Sequence, residues 1–331
     1  IGLKLCDEAE RAIETLMDSD LTPYLAKPDA LGRAKRLDDA QGRYIQHVKS
    51  TFDRRKTLKG MKVVLDCANG AAYRVAPTIL WELEADVVTI HNHPDGFNIN
   101  ADCGSTAPTG LCKKVKEIGA DIGIALDGDA DRLVVCDEKG RIIDGDQLIA
   151  VIALHQHEQA RLNKDGVVVT SMSNVGLETF LSSRGIHLKR TEVGDRYVSQ
   201  YMREQSYNVG GESSGHIILR DYATTGDGML AALQALSVLA DSRKPASKTF
   251  NVFSPVPQLL ENVRYKKRDP LKNKEIQKVI VQSEKDLNDT GRIVIRRSGT
   301  EPLIRVMAES SDKALLKKTV KKVVSVIKKH A

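Results

Sequence analysis

Six consecutive residues, Asp127-Gly128-Asp129-Ala130-Asp131-Arg132, follow the apolar run Ile122-Gly123-Ile124-Ala125-Leu126, which reads as a buried strand. Three alternating carboxylates there can converge on one hard cation, and oxygen-only ligation favours Mg²⁺ over Zn²⁺. An isolated Asp-x-Asp would read as a bare acidic turn. Three aspartates in five residues, closed by Arg132 directly after a strand, repel one another too strongly to be held together without a cation. An EF-hand is excluded, because Arg132 stands where that loop needs glycine and a strand rather than a helix leads in.

Two further loops carry recognisable chemistry. In Gly211-Glu212-Ser213-Ser214-Gly215-His216, Glu212 and Ser214 suit vicinal sugar hydroxyls, and His216 could move a proton near neutral pH, although a lone histidine at a strand start is as often structural. In Arg296-Arg297-Ser298-Gly299-Thr300-Glu301-Pro302, a small-residue turn between strands offers backbone N–H groups, the hydroxyls of Ser298 and Thr300 around Gly299, and the guanidinium forks of Arg296 and Arg305. That set reads as a phosphate cradle rather than an ordinary hairpin turn. A metal loop, a hydroxyl-binding loop and a phosphate loop imply a phosphorylated, polyhydroxylated substrate held in a cleft between domains.

The elements that must position these loops alternate between strand-like runs (61–65, 86–90, 122–126, 133–136) and amphipathic helices (75–83, 111–118). The pattern predicts an α/β fold with parallel strands. It also repeats: Val63-Val64-Leu65-Asp66 with Ala68-Asn69-Gly70 is echoed by Val167-Val168-Val169-Thr170 with Ser173-Asn174. The acidic loop is followed by Gly145-Asp146, and the Glu212 loop by Gly226-Asp227-Gly228, each opening a helix. Two homologous units thus place polar loops at equivalent strand ends, where open α/β sheets bind ligands. Asp146 and Asp227 are expected to be helix N-caps. Pro245, Pro255 and Pro257 mark a boundary, after which a smaller α+β unit follows. The expected domains are 1–53 (the remnant of an upstream domain plus a linker helix), 54–157, 158–254 and 255–331.

Composition narrows the functional classes. The 331 residues are 41% hydrophobic and carry 50 basic against 44 acidic side chains, a net charge of +6. Much of the excess lies in a tail whose Leu316, Val320, Val323, Val324 and Ile327 predict the buried face of a terminal helix, with lysines solvated opposite. With aromatics at 4% and no aromatic-interleaved basic stripe, nucleic acid is a weak partner. No apolar stretch approaches a membrane span and no signal peptide is visible. The cysteines Cys6, Cys67, Cys103, Cys112 and Cys136 are scattered, with no C-x-x-C pair and no His/Cys cluster of zinc spacing, which fits a reduced cytoplasm.

The three loops, in order and with fitting separations, resemble the metal, sugar and phosphate loops of the α-D-phosphohexomutase superfamily, and the resemblance spans essentially the whole chain. Gly96-Phe97-Asn98-Ile99-Asn100 with Cys103-Gly104-Ser105-Thr106, and Val193-Gly194-Asp195-Arg196-Tyr197-Val198, are most similar to the bacterial amino-sugar branch. The resemblance implies Mg²⁺ on Asp127, Asp129 and Asp131, and sugar hydroxyls on Glu212 and Ser214. Asp195 and Arg196 would face the variable end of the sugar. Arg296, Ser298, Gly299, Thr300 and Arg305 would hold the phosphate that does not react. Arg132 would offset developing phosphoryl charge, and His216 matches a proton-transfer position. The implied reaction interconverts glucosamine-6-phosphate and glucosamine-1-phosphate through a phosphoserine and a sugar bisphosphate, feeding UDP-N-acetylglucosamine and cell-wall precursors.

One departure matters. The family's Ser-His-Asn-Pro loop is absent from the sequence, and His91-Asn92-His93-Pro94 lacks the serine. The segment 1–31 resembles the last strand and helix of the family's first domain, so the expectation is a chain missing that domain and inactive alone. Ala130, where many relatives have glycine, implies an ordinary φ. Phosphomannomutase or phosphoglucomutase activity, an aspartyl phosphatase using Asp127, and a non-catalytic phosphosugar-binding protein remain alternatives. The oligomeric state stays open, a homodimer included.

Overall fold

The computed structural model describes residues 4–265, 270–287, 291–298 and 302–331. After helix α1 (Asp7–Met17) and helix α2 (Ala40–Ser50) come β1 (Lys62–Asp66), α3 (Val75–Glu82), β2 (Asp86–Ile90), α4 (Thr109–Ile118), β3 (Ile122–Leu126), β4 (Leu133–Asp137) and β5 (Ile142–Ile143). These strands form one sheet in the order β2-β1-β3-β4-β5. Residue alternation fixes its two faces. Val63 and Leu65 of β1 enter one core, while Val64 turns to the opposite layer with Leu111 and Val115 of α4.

The second unit repeats the plan with α5 (Gly145–Glu158), β6 (Gly166–Thr170), α6 (Val175–Ser182), β7 (His187–Thr191), α7 (Asp195–Gln205), β8 (Val209–Gly211), β9 (Ile217–Leu219), α8 (Gly228–Ser242) and α9 (Ala246–Thr249). Its sheet runs β7-β6-β8-β9. Helices α5 and α8 are apolar nearly all round and pack against each other, so both sheets drain into one shared core. That shared core holds the two polar loops in a fixed relation.

The strands are not all parallel as expected: β3–β4, β4–β5 and β8–β9 pair antiparallel. Loops as short as 127–132 and 212–216 close hairpins, whereas a parallel return needs about a dozen residues or more. Both site loops are therefore hairpin loops in mixed sheets.

The remaining elements are β10 (Gln258–Arg264), α10 (Lys274–Leu287), β11 (Gly291–Arg297), β12 (Leu303–Ser310) and α11 (Lys313–His330), with an antiparallel sheet ordered β10-β12-β11. They enclose their own core of Val263, Ile276, Ile304, Val306, Leu316, Val320 and Val323. Asp312 caps α11 by accepting from the Ala314 and Leu315 N–H groups, and the helix buries the stripe expected from its spacing.

At the other end, α1 is the helix expected within 1–31, but it buries none of its residues, and Leu5, Met17, Tyr24, Leu25 and Leu31 are exposed. The strand expected ahead of that helix within 1–31 is not found over 4–6; residues 1–3 lie outside the described range. No helix among the described residues is long and apolar enough to cross a membrane.

Candidate active site

The metal loop and the sugar loop are stitched together through the backbone. The Leu133 N–H donates to the Gly215 carbonyl (3.0 Å), the Gly145 N–H to Ser213 (3.1 Å) and the Gly228 N–H to Ala130 (2.8 Å). Arg132 and His216 form an antiparallel bridge. Gly215 makes this approach possible: its φ is +91°, and a Cβ there would lie 2.0 Å from the Leu133 oxygen.

Within the metal loop, one carboxylate oxygen from each of Asp127, Asp129 and Asp131 falls within 4.8 Å of the others. Asp127 is buried and Asp129 exposed. Burial pushes the Asp127 carboxyl up to about 6, with Asp131 and Asp129 adding to the rise and the Arg132 backbone N–H and guanidinium opposing it. Crowded anions, one of them desolvated, on an all-oxygen donor set fit a hard divalent cation. The Arg132 guanidinium stands outside this cluster, its Nε 3.7 Å from Asp127 and 3.8 Å from Asp131. Ala130 does not keep an ordinary φ: it adopts +61°, because the short hairpin needs a left-handed residue there.

His216 is buried between two carboxylates, Nδ1 lying 3.1 Å from Asp131 and Nε2 3.3 Å from Asp195. The hydrogen bond from His216 is the main cause holding the Asp131 carboxyl below its usual range. Glu212 accepts the Gly194 N–H at 3.2 Å, and Ser214 is exposed at the loop tip. The structure thus brings Asp127, Asp129, Asp131, His216 and Asp195 into one chain of contacts. Arg196 points elsewhere, to Asp7 and Glu10 of α1, and Lys4 also pairs with Asp195.

In the C-terminal sheet, Arg296 and Arg305 sit directly opposite each other across β11–β12. Both Nε atoms are buried without a hydrogen-bond partner. Burial lowers the Arg296 pKa and Arg305 lowers it further, while the Glu212 carboxylate opposes the change. Two adjacent cations with unused donors are what an anion would satisfy. Ser298 follows on the same hairpin, donating its N–H to the Leu303 carbonyl (2.9 Å). Gly299 and Thr300 lie outside the described residues.

Asp227 caps α8 by accepting the Leu230 N–H, as expected, and takes the Tyr44 hydroxyl at 3.1 Å. With Tyr44, Ala71, Val75, Asp129 and Ala130 it lines a cavity of about 370 Å³ beside the metal loop, a feature that no sequence motif announced. Asp146 is not a cap. Asp144 fills that role for α5, while the Asp146 carboxylate crosses to the Asn174 N–H at 2.7 Å. Burial pushes Asp146 up to about 7, more than the Asn174 bond pulls it down.

This folded-state value lies above the unfolded 3.8, so the stability contribution is full below about pH 4 and is lost as pH rises toward 7. Urea unfolding of Asp146→Asn, which keeps an acceptor for Asn174, should lack that slope. The wild-type chain should lose on the order of 4 kcal/mol more than the variant between pH 4 and 7.5, taking each pKa unit as about 1.4 kcal/mol.

Three family models match the chain: phosphoglucomutase/phosphomannomutase alpha/beta/alpha domain II over residues 42–140, alpha/beta/alpha domain III over 144–256, and the C-terminal domain over 260–326. Phosphoglucosamine mutase of Parvibaculum lavamentivorans is 56% identical over 330 residues, covering 100% of this chain and 74% of the relative. That of Granulibacter bethesdensis is 58% identical over 326 residues, covering 98% and 71%. Among solved structures, a phosphoglucomutase/phosphomannomutase family protein from Burkholderia thailandensis superposes with a TM-score of 0.78 at 19% identity, covering 99% of this chain and 71% of that one. Aspergillus fumigatus N-acetylphosphoglucosamine mutase, in complex with GlcNAc-6P and magnesium, gives 0.72 at 20% identity, covering 90% and 67%. By its matched domains and its whole-chain identity, this chain belongs to the phosphoglucomutase/phosphomannomutase family.

Proposed function

We propose that these residues bind the metal and substrate for the phosphoglucosamine mutase reaction, the interconversion of glucosamine-6-phosphate and glucosamine-1-phosphate. The observation that carries the reading is the joining of an all-carboxylate loop to a Glu/Ser/His loop, together with a cross-strand pair of arginines whose Nε donors are unused. Identity of 56–58% to phosphoglucosamine mutases over nearly the whole chain supports the amino-sugar substrate. The reading divides the chain after residues 53, 157 and 254.

Asp127, Asp129 and Asp131 would hold Mg²⁺, which when bound screens charge on a transferring phosphoryl group. Arg132 adds a guanidinium at the loop's rim. Glu212 and Ser214 would orient the sugar through its hydroxyls, with Asp195 toward its variable end and Arg196 joining it on release from Asp7 and Glu10 of α1. His216, held by Asp131 and Asp195, is placed to carry a proton at Nε2. Arg296, Arg305, Ser298, Gly299 and Thr300 would clamp the phosphate that stays in place. The sequence contains no Ser-His-Asn-Pro tetrapeptide, so on this reading the 331 residues alone should bind but not turn over, and a sugar bisphosphate would be the activator once a carrier serine is supplied.

Calorimetry with Mg²⁺ should show glucosamine-6-phosphate binding to the chain alone. Interconversion should appear only when a Ser-His-Asn-Pro segment is supplied in cis, with kcat/KM higher for glucosamine-6-phosphate than for mannose-6-phosphate. Turnover by the 331 residues alone, or a preference for mannose-6-phosphate, would overturn the reading.

A further inference from the structure

Behind the metal loop, three donors of different chemistry meet at the edge of the first sheet. Asp66 ends β1 and is fully buried, and His91 follows Ile90, the β2 residue registered against Asp66. Cys103, also fully buried, lies at the far end of the loop that leaves His91. One oxygen, one nitrogen and one sulfur from these side chains all lie within 4.8 Å of one another.

Ordinary packing leaves features of this trio unexplained. His91 Nδ1 is 3.0 Å from Asp66 Oδ2, yet this buried nitrogen has no aligned hydrogen-bond partner. His91 also holds φ at +48°, in the left-handed region that side chains seldom adopt. Asp66 accepts the Ala68 N–H on Oδ1 (2.9 Å) and the Gly104 N–H on Oδ2 (3.0 Å), leaving a lone pair free on each oxygen. Burial pushes the Cys103 thiol up, with Asp66 and Asp102 reinforcing it, and the sulfur's one hydrogen-bond contact among the described residues is the Asn69 amide at 3.9 Å.

We propose that Asp66, His91 and Cys103 form a second metal site, selective for a borderline-soft divalent cation of the Zn²⁺ class. Sulfur and imidazole donors favour such an ion over Mg²⁺, which belongs on the all-oxygen loop at Asp127. Three protein ligands leave one tetrahedral position for water. On binding, the Cys103 S–H bond gives its proton to solvent as the sulfur–metal bond forms. His91 coordinates as neutral imidazole through Nδ1, and no oxidation state changes.

The site would act on the metal loop mechanically. Gly104 has φ +69°, and a Cβ there would lie 2.5 Å from the Leu126 carbonyl oxygen, on the residue directly before Asp127. A cation on Cys103 clamps the 91–103 loop against that strand end.

Co²⁺ is the probe. The 331-residue chain is titrated with Co²⁺ in excess Mg²⁺, which keeps the Asp127 loop filled, and its absorption is followed. One equivalent should produce a thiolate-to-cobalt charge-transfer band with tetrahedral d–d bands, displaced by Zn²⁺. C103S should lose the charge-transfer band while four cysteines remain. H91A, changed at a half-exposed position, should weaken Co²⁺ affinity at least tenfold, and D127N should leave the band intact. Absence of the band at millimolar Co²⁺, or its persistence in C103S, would overturn the site and leave the trio as an ion pair beside a buried thiol.

Discussion

Asp127→Asn should abolish the rise in thermal midpoint expected when Mg²⁺ is added to the wild-type chain, and it should raise the midpoint of the metal-free protein. Both outcomes come from one geometry. Asp127 is 6% exposed, and its carboxylate is crowded by Asp129 and Asp131. An asparagine retains the acceptor for the Arg132 N–H, seen at 3.0 Å, while removing the desolvated charge. A carboxyl pushed from 3.8 to about 6 sets a ceiling of ~3 kcal/mol on the stability regained at neutral pH. Asp129→Asn is the contrasting variant: its side chain is exposed, so it should lose the Mg²⁺ effect without stabilising the metal-free chain. Differential scanning calorimetry at zero and millimolar Mg²⁺ reads both. A Mg²⁺-dependent shift that survives in both variants would remove the metal assignment from this loop.

What sequence could and could not show divides along a physical line. The run 122–126 and the aspartates after it are local, so both the buried strand and the clustering of the three carboxylates are legible from residue types alone. The same holds for the terminal helix, whose apolar spacing is periodic. Ala130 and Asp146 were misread because their conformation is imposed from outside the local sequence: a tight hairpin turns Ala130 left-handed, and Asn174 on another element claims Asp146. Asp66, His91 and Cys103 have no zinc-like spacing because separate strand ends and a loop carry them, and only the sheet register brings them together. The opposition of Arg296 and Arg305 is likewise a matter of register. Asp195 and Arg196 stood out in the sequence, but their pairing with Lys4, Asp7 and Glu10 follows from where α1 lies, which no local pattern encodes.

Glu309→Ala should release the C-terminal sheet from the rest of the molecule while leaving it folded. Glu309 is fully buried on β12 and accepts from Arg292 Nε at 3.0 Å, the Val175 N–H at 3.1 Å and Gln258 Nε2 at 2.9 Å. Arg292 in turn donates to the Ser171 carbonyl at 2.9 Å and to that of Ser173. The pair therefore latches β11 and β12 onto the loop that joins β6 to α6. Removing one partner of a buried ion pair strands the other and costs about 3–5 kcal/mol. The C-terminal core shares no residues with the main one, so this loss falls on docking rather than on either fold. Calorimetry should show one transition splitting into two, and proteolysis should quicken over 250–257. Affinity for glucosamine-6-phosphate should fall at least tenfold, because the sheet that carries Arg296 and Arg305 is no longer held against the rest of the site. Glu309→Gln keeps an acceptor for Arg292 but turns an NH₂ toward a second donor, so it should fall between the two. A single transition within about 1 kcal/mol of wild type would show that other contacts, such as the Asn174–Val256 bonds, carry the docking instead.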